Sequence, residues 1–103
     1  MTLAQEHCAP GATALAPDEA LVLSPQLPGW TLKEQFLERE FAFKDFCDAM
    51  AFVNRVAEIA EREGHHPDIR ISYNKVHLTL TTHKIGWLSR NDFIMAAKIN
   101  AIA

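Results

Sequence analysis

The sequence has few of the residues on which small disulfide-bonded and metal-binding proteins depend. Its 103 residues include two cysteines, Cys8 and Cys47, which lie far apart in unlike contexts. Neither a disulfide framework nor a four-thiolate metal site is therefore expected. With four glycines in all, the chain has no glycine-rich loop of the kind that binds phosphates. Thirteen acidic and ten basic residues give a net charge of −3, so direct nucleic-acid binding, which needs a basic surface, is not expected.

Long hydrophobic runs are absent as well. No apolar run approaches the ~18 residues of a membrane span, and no basic region followed by an apolar stretch marks a secretory signal. Together with the free thiols, these absences favour a cytoplasmic protein. Hydrophobic residues nevertheless make up 49% of the chain and charged residues 22%, a composition typical of one folded domain with a modest core.

The order of the predicted elements indicates an α+β domain over residues 17–103, preceded by a flexible leader over residues 1–16. The patterns predict a short helix from Pro17, a strand pair within 30–43 that turns near Glu38-Arg39-Glu40, a long helix over 44–63, a strand pair within 69–81 that turns at Asn74-Lys75, and a helix from Ser89. This order favours a four-stranded, mainly antiparallel sheet with three helices packed on one face.

The long helix carries two apolar stripes. One contains Phe46, Met50, Val53, Ala57 and Ala60, and the other contains Phe52, Val56 and Ile59. A helix with two apolar faces needs two partners, and we expect the second stripe to be buried between subunits. Gly64 follows the helix, where a left-handed C-terminal cap is favoured.

The candidate chemistry is concentrated in four of the five histidines, which fall between residues 65 and 83. His65 and His66 follow the long helix and His83 ends the last strand, so the hairpin between them can bring all three together. Imidazoles titrate near neutral pH and could supply an acid, a base and a binding group. Two other interpretations stay open: His65-His66-Pro67 as a polar connector, and a metal site, although adjacent histidines cannot easily bind one ion.

Three further residues have both a structural and a functional interpretation. Asp92 is the third residue of a capping box that begins at Ser89, which explains it without catalysis. Glu61 lies near a helix C-terminus, where an acidic residue is mildly unfavourable, so a partner is expected. Trp30 is either a core residue or a wall for a flat ring. From the residues alone, the sequence predicts a small-ligand site with acid–base histidines.

The spacing of these residues resembles that of the pterin-4a-carbinolamine dehydratases. The matching pattern is Glu61, three residues, His65-His66-Pro67, five residues, Tyr73, nine residues, His83, eight residues and Asp92. The similarity extends to Leu27-Pro28-Gly29-Trp30, Phe41 to Phe46, Tyr73 to Val76, Thr82-His83 and Leu88 to Phe93.

The resemblance implies a hydro-lyase that converts 4a-hydroxytetrahydropterin, such as 4a-hydroxytetrahydrobiopterin, to quinonoid dihydropterin and so recycles the cofactor of aromatic amino-acid hydroxylases. It implies no metal and no organic cofactor. By position, His65 and His83 would be the acid–base pair and His66 would orient the substrate. The supporting or substrate-binding residues would be Glu61, Pro67, Thr82, Asp92 and Trp30.

The resemblance also implies a homodimer or homotetramer. Family members serve as a dimerisation cofactor for a homeodomain transcription factor in animals, so a non-catalytic binding or assembly module is the alternative. Two residues depart from the family pattern: Trp87 stands where glycine is usual, and Lys84 where an acidic or small residue is common. We expect Trp87 to pack under the last helix, although it could instead narrow the mouth of the site.

Overall fold

The structure is a computed structural model that describes residues 2–103. Its elements are α1 (Pro17–Leu23), β1 (Thr31–Leu32), β2 (Leu37–Ala42), α2 (Phe46–Glu63), β3 (Asp68–Ser72), β4 (Lys75–Leu80) and α3 (Arg90–Ile102), with 3-10 helices at Leu3–Gln5, Ser24–Gln26 and His83–Ile85. The strands form one antiparallel sheet in the order β1-β2-β4-β3. Three helices pack on one face, which confirms the predicted α+β fold. Among residues 2–103, no helix combines the length and hydropathy that crossing a membrane requires.

The ends of α2 follow the signals in the sequence. The side chain of Asp45 accepts a hydrogen bond from the backbone N–H of Asp48 at 2.8 Å, which caps the first turn. Gly64 ends the helix with φ 66°, the left-handed conformation that glycine adopts without a steric penalty. The chain therefore leaves α2 in a defined direction, and His65 and His66 come next.

The stripe of α2 that contains Phe52, Val56 and Ile59 is buried in the core of its own chain, with Phe52 only 3% exposed. The expectation that this stripe lies between subunits is therefore wrong. Phe46, on the other stripe, is 48% exposed. Periodicity identifies two apolar faces on a helix but not which of them the sheet covers, because that depends on long-range packing.

The helix-facing side of the sheet is apolar and closely packed. In the pairing of β2 with β4, Leu37 lies opposite Leu80 and Phe41 lies opposite Val76. Leu37, Val76, Leu78 and Leu80 are fully buried. The central strands thus fix the position of α2 and α3, and both of those helices carry residues of the candidate site.

Both hairpin turns differ from the sequence prediction. Glu38-Arg39-Glu40 lies inside β2 rather than at the turn. The first hairpin turns between β1 and β2, where the Lys33 N–H donates to the Phe36 carbonyl at 2.9 Å. In the second hairpin the turn comprises Tyr73 and Asn74, and the positive φ, 53°, falls on Tyr73. The position of this turn follows from the register in which the residues next to it pair with the neighbouring strand.

The Asn74 side chain explains that register. Its amide donates to the Phe43 carbonyl at 2.8 Å, and its backbone carbonyl accepts from the Phe43 N–H at 2.8 Å. These two bonds hold Asn74 against the residue that follows β2, and the left-handed conformation falls on the preceding residue, Tyr73.

The segment predicted as a flexible leader lies against α3 rather than apart from the domain. Leu3 is 4% exposed and belongs to the core. Ala14 forms an isolated antiparallel bridge with Ser89, and Glu6 forms two hydrogen bonds with Arg90, at 2.8 and 2.7 Å. The apolar and ionic contacts of this short segment were not evident from its sequence because they carry no helical or strand period.

Candidate active site

His65, His66 and His83 line one cavity of about 750 Å³. The first two follow the end of α2, and His83 begins the 3-10 helix that follows β4. The strand stops at Leu80 rather than at His83, because the chain turns back to pair Thr82 with Trp87. The structure thus brings together the three histidines that the sequence singled out.

His65 is held by the buried carboxylate of Asp92. The Nε2 atom of His65 lies 2.6 Å from Oδ1 of Asp92, and the Asp92 side chain is fully buried. A short contact between an imidazole and an ionised carboxylate is a charge-assisted hydrogen bond, which is stronger than a neutral one. Of the three histidines, His65 is therefore the one whose ring is best fixed.

The other oxygen of Asp92 also has partners. Oδ2 of Asp92 accepts from the Ser89 N–H at 2.9 Å and from Oγ1 of Thr82 at 2.8 Å. Oγ1 of Thr82 lies 2.7 Å from Oγ of Ser89. A buried carboxylate is costly unless both oxygens are hydrogen-bonded, and this network meets that requirement. One side chain therefore both caps the start of α3 and holds the ring of His65.

The other two histidines are more exposed. Nε2 of His66 contacts Oε2 of Glu61, and both side chains are exposed. Nε2 of His83 lies 3.6 Å from Oδ1 of Asp68, again with both side chains exposed. Exposed ion pairs contribute little free energy, so these two imidazoles keep more freedom to meet a ligand than His65 does.

Four predicted site residues do not line the cavity. Glu61 and Asp92 each contact one of its histidines, whereas Trp30 and Pro67 are buried in the fold. Trp30 is 7% exposed, packs edge-on against Phe41 with ring centroids 6.2 Å apart, and donates from Nε1 to Oδ1 of Asn100 at 2.8 Å. Pro67 is buried and does not line the cavity. Trp30 and Pro67 therefore contribute to the packing of the fold and not to the lining of the cavity.

Of the two departures from the family pattern, Lys84 and Trp87, Lys84 lines the cavity. Trp87 is partly buried against the core and is not a lining residue. Lys84 does line the cavity and is exposed. Trp87 therefore does not narrow the cavity lining, and it is Lys84 that adds a positive charge near the histidines.

Several cavity residues were not singled out from the sequence. The lining also includes Cys8 to Ala14, Glu63 and Asn91. Burial raises the pKa of the Cys8 thiol to about 12, and the Glu63 carboxylate adds to the rise. Glu63 is an acidic residue in the last turn of a helix, the same unfavourable placement that drew attention to Glu61. Over residues 2–103, no three His, Cys, Asp or Glu side chains are grouped so that they could hold a metal ion.

This geometry defines a class of protein: an α+β domain with a cavity lined by histidines. One of these histidines is fixed by a buried carboxylate. The family model described as pterin 4 alpha carbinolamine dehydratase matches residues 13–102. The chain belongs to that family.

Relatives and solved structures agree with this assignment. A protein of Nitrosospira multiformis with the name "Putative pterin-4-alpha-carbinolamine dehydratase" is 48% identical over 97% of this chain and 91% of its own length. A Stenotrophomonas maltophilia protein of the same name is 47% identical over 97% and 90%.

Two solved structures are also similar. A transcriptional coactivator/pterin dehydratase from Brucella melitensis has a TM-score of 0.84 and 36% identity, covering 88% of this chain and 99% of that one. A pterin dehydratase-like protein identified as a RuBisCO assembly factor in the alpha-carboxysome has a TM-score of 0.60 and 28% identity, covering 72% and 86%.

Proposed function

We propose that this chain catalyses the dehydration of 4a-hydroxytetrahydropterin to quinonoid dihydropterin, and so recycles the cofactor of aromatic amino-acid hydroxylases. The observation that carries the proposal is the set of three histidines on one cavity, with His65 fixed by the buried Asp92. Membership of the family supports the substrate class.

The reaction needs two proton transfers. One proton goes to the 4a-hydroxyl so that the C4a–O bond can break and water can leave, and one proton is removed from a ring nitrogen as the C–N double bond forms. The products are quinonoid dihydropterin and water, so no oxidant or reductant is consumed. Histidines suit both transfers because imidazole gains and loses protons near neutral pH.

The contact with Asp92 favours His65 as the base. An ionised carboxylate only accepts hydrogen bonds, so the proton of neutral His65 sits on Nε2 and the lone pair sits on Nδ1. When Nδ1 takes the substrate proton, the carboxylate of Asp92 faces the imidazolium that forms, as in other carboxylate–histidine pairs. His83 is then the acid that protonates the leaving hydroxyl.

The remaining residues have supporting roles in the proposal. His66 binds and orients the pterin, and Glu61, which does not line the cavity, holds His66 through its Nε2 atom. Thr82 positions Asp92 through the 2.8 Å hydrogen bond. Neither a metal nor an organic cofactor takes part.

We further propose that the protein works in the cytoplasm as a homodimer or homotetramer, without direct contact to nucleic acid. The edge strand β3 exposes two apolar side chains, Ile69 and Ile71, and α2 exposes Phe46. Apolar side chains on a strand edge and on a helix are typical of self-association.

The direct test is an assay with synthetic 4a-hydroxytetrahydropterin. We expect the protein to accelerate dehydration over buffer, and His65→Ala and His83→Ala each to lower kcat by about 10²–10⁴-fold, the usual contribution of a general acid or base. His77→Ala is the matched control, because His77 lies on β4 next to Glu38 and away from the cavity. Equal rates with and without protein would contradict the proposal.

A non-catalytic assembly module on the same fold is the second candidate, and the similarity to the carboxysome assembly factor is the observation that favours it. This candidate predicts that the protein does not accelerate dehydration. It also predicts that His65→Ala, His83→Ala and His77→Ala leave binding to the assembly partner unchanged. A metal-dependent activity would instead be lost on treatment with a chelator and restored by the metal.

A further inference from the structure

One part of the cavity is not used by the chemistry proposed above. It is formed by Cys8 to Ala14, which we call the N-terminal wall, and none of these residues has a charged side chain. We propose that the N-terminal wall contacts the substituent of the bound pterin and determines which substituents are accepted, and that Asn91 is the residue that positions it. This inference rests on the proposed function, because it takes a pterin as the ligand.

Asn91 holds the wall through both of its amide atoms. Its Oδ1 accepts from the backbone N–H of Ala9 at 3.0 Å, and its Nδ2 donates to the Ala9 carbonyl at 2.9 Å. The thiol of Cys8 lies 3.6 Å from the Asn91 carbonyl. Asn91 is 8% exposed, and each of these bonds is partly buried. A side-chain amide that pairs with both backbone groups of one residue fixes its position and orientation.

Glu63 is the second anchor. Its Oε1 accepts from the Cys8 N–H at 2.8 Å, and its Oε2 lies 3.0 Å from Nδ1 of His7. The side chain of Glu63 is 3% exposed, and Nζ of Lys98 lies 3.9 Å away. The carboxylate therefore ties the start of the wall to the last turn of α2, with a cation beside it.

The two anchors are next to the catalytic groups in the sequence. Asn91 precedes Asp92, which contacts His65, and Glu63 lies two residues before His65 itself. The first turn of α3 and the last turn of α2 thus place both the histidine and the wall. A wall built in this way keeps a fixed position relative to the reacting groups, as a specificity surface requires.

The chemistry of the wall indicates the kind of substituent. A cavity of about 750 Å³ is in the range of sites for small molecules and is larger than a bicyclic ring needs, so it has room for a side chain on the pterin. Because the wall offers the small, uncharged side chains of cysteine, alanine, proline and threonine, it suits a short uncharged chain. Residues 8–12 precede the stretch that the family model matches, 13–102.

The first test compares two substrates, 4a-hydroxytetrahydropterins with a dihydroxypropyl or a methyl group on carbon 6. We expect Asn91→Ala to raise KM for the dihydroxypropyl substrate by about five- to thirty-fold, as the loss of two hydrogen bonds to the wall allows. The effect should fall on KM more than on kcat and should be smaller for the methyl substrate. Equal changes for both substrates, or none, would overturn the proposal.

Two further variants guard this test. Ala12→Phe keeps both anchors but puts a large ring on the wall, so it should also raise KM selectively for the dihydroxypropyl substrate. Glu6→Ala is the matched control. Glu6 lies in the same N-terminal segment as the wall, and the variant breaks its ion pair with Arg90, but neither Glu6 nor Arg90 lines the cavity. We expect this variant to leave both KM values as they are.

The second test does not depend on turnover. Cys8 lines the cavity, whereas Cys47 is exposed elsewhere on α2, so alkylation by iodoacetamide can be followed at both thiols by mass spectrometry. A stable 7,8-dihydropterin with the dihydroxypropyl group should slow alkylation of Cys8 but not of Cys47, and Asn91→Ala should speed that of Cys8.

The combined results separate the two proposals. Protection of Cys8 without dehydratase activity would overturn the proposed function and leave the wall in place. Dehydratase activity without protection of Cys8 would overturn the wall and leave the proposed function in place.

Discussion

The carboxylate of Asp92 lies 2.6 Å from Nε2 of His65 and is fully buried. The same carboxylate accepts the backbone N–H of Ser89, the N-cap residue of α3. One side chain therefore both begins a helix and orients a histidine of the cavity. The site is rigid at this point because the carboxylate that orients the ring is part of the secondary structure.

Replacing Asp92 by asparagine should impair catalysis more than binding. The amide of Asp92→Asn can donate to Nε2 of His65, which moves the imidazole proton to Nδ1 and removes the lone pair that the proposed base needs. We expect kcat to fall by about 10²–10⁴-fold, the contribution that a general acid or base usually makes, with a smaller change in KM. Steady-state kinetics with synthetic substrate measures both parameters.

Asp48→Asn is the matched control, because Asp48 is half-exposed in the first turn of α2, where it pairs with Lys44 at 3.8 Å. A variant Asp92→Asn that keeps its kcat but unfolds more readily would show that Asp92 is only a capping residue. That is the structural interpretation its place in the sequence already allows.

The two stripes of α2 should respond differently to truncation. Phe52 is 3% exposed and packs against Phe41 and Phe43, with ring centroids 4.7 and 5.0 Å away. Phe52→Ala should lower the free energy of unfolding by about 3–5 kcal/mol, the usual cost of removing a buried aromatic ring. Urea denaturation followed by circular dichroism measures this loss.

Phe46→Ala is the control for that prediction, since Phe46 is 48% exposed. Its effect on the single chain should be small, and any stabilisation by Phe46 should depend on protein concentration, as expected of a contact between subunits. If instead the loss at Phe52 varied with protein concentration, the buried stripe would belong to an interface after all.

The features that the sequence predicts well are those with local causes. Asp45 and Gly64 bound α2 by capping chemistry, and the capping box from Ser89 to Asp92 begins α3. Alternation in residues 76–81 marks β4 because each side chain chooses a face of the sheet. The convergence of His65 and His83 was accessible for the same reason, since a hairpin brings the segments at its two ends together.

The features that the sequence does not predict depend on contacts distant along the chain. The charges of Glu38-Arg39-Glu40 suggest a turn, yet β2 continues through them because it pairs with β4. Arg39 stays in the strand because its guanidinium lies 4.3 Å from the centre of the Phe41 ring and donates to Asn100. The N-terminal wall was missed for a similar reason: Asn91 holds it from the other end of the sequence.

Asn100 should matter for stability and not for catalysis. Its Oδ1 accepts from Nε1 of Trp30 at 2.8 Å and from Arg39 at 2.7 Å, and its Nδ2 donates to the Pro28 carbonyl at 3.1 Å. Asn100→Ala leaves the indole N–H of the buried Trp30 without its partner, which should cost about 1–3 kcal/mol in the free energy of unfolding. Denaturant titration measures the expected loss of stability. The dehydration assay, run on the same preparations, checks that catalysis is unchanged.

Asn54→Ala is the matched control, because Asn54 is exposed on α2 and should change neither quantity. A large rise in KM with Asn100→Ala would contradict this prediction. It would also return Trp30 to the substrate site, where the family resemblance placed it.

The acid stability of the fold should depend on Glu63. Burial alone would raise the pKa of the Glu63 carboxyl, but the hydrogen bonds from Cys8 and His7, with Lys98 nearby, hold it below its ordinary value of 4.5. A carboxyl with a lowered folded-state pKa stabilises the protein above its unfolded pKa, and this stabilisation is lost as the pH falls through the folded-state value. Glu63→Gln should therefore be less stable than the original chain at pH 7, and the difference in the free energy of unfolding should shrink as the pH falls below about 4.5.

Urea titrations at a series of pH values measure this difference in the free energy of unfolding. The control is Glu58→Gln, at an exposed position on the same helix, which should show little difference at any pH. A deficit for Glu63→Gln that stayed constant down to pH values well below 4.5 would mean that the carboxylate charge does not hold the N-terminal wall in place.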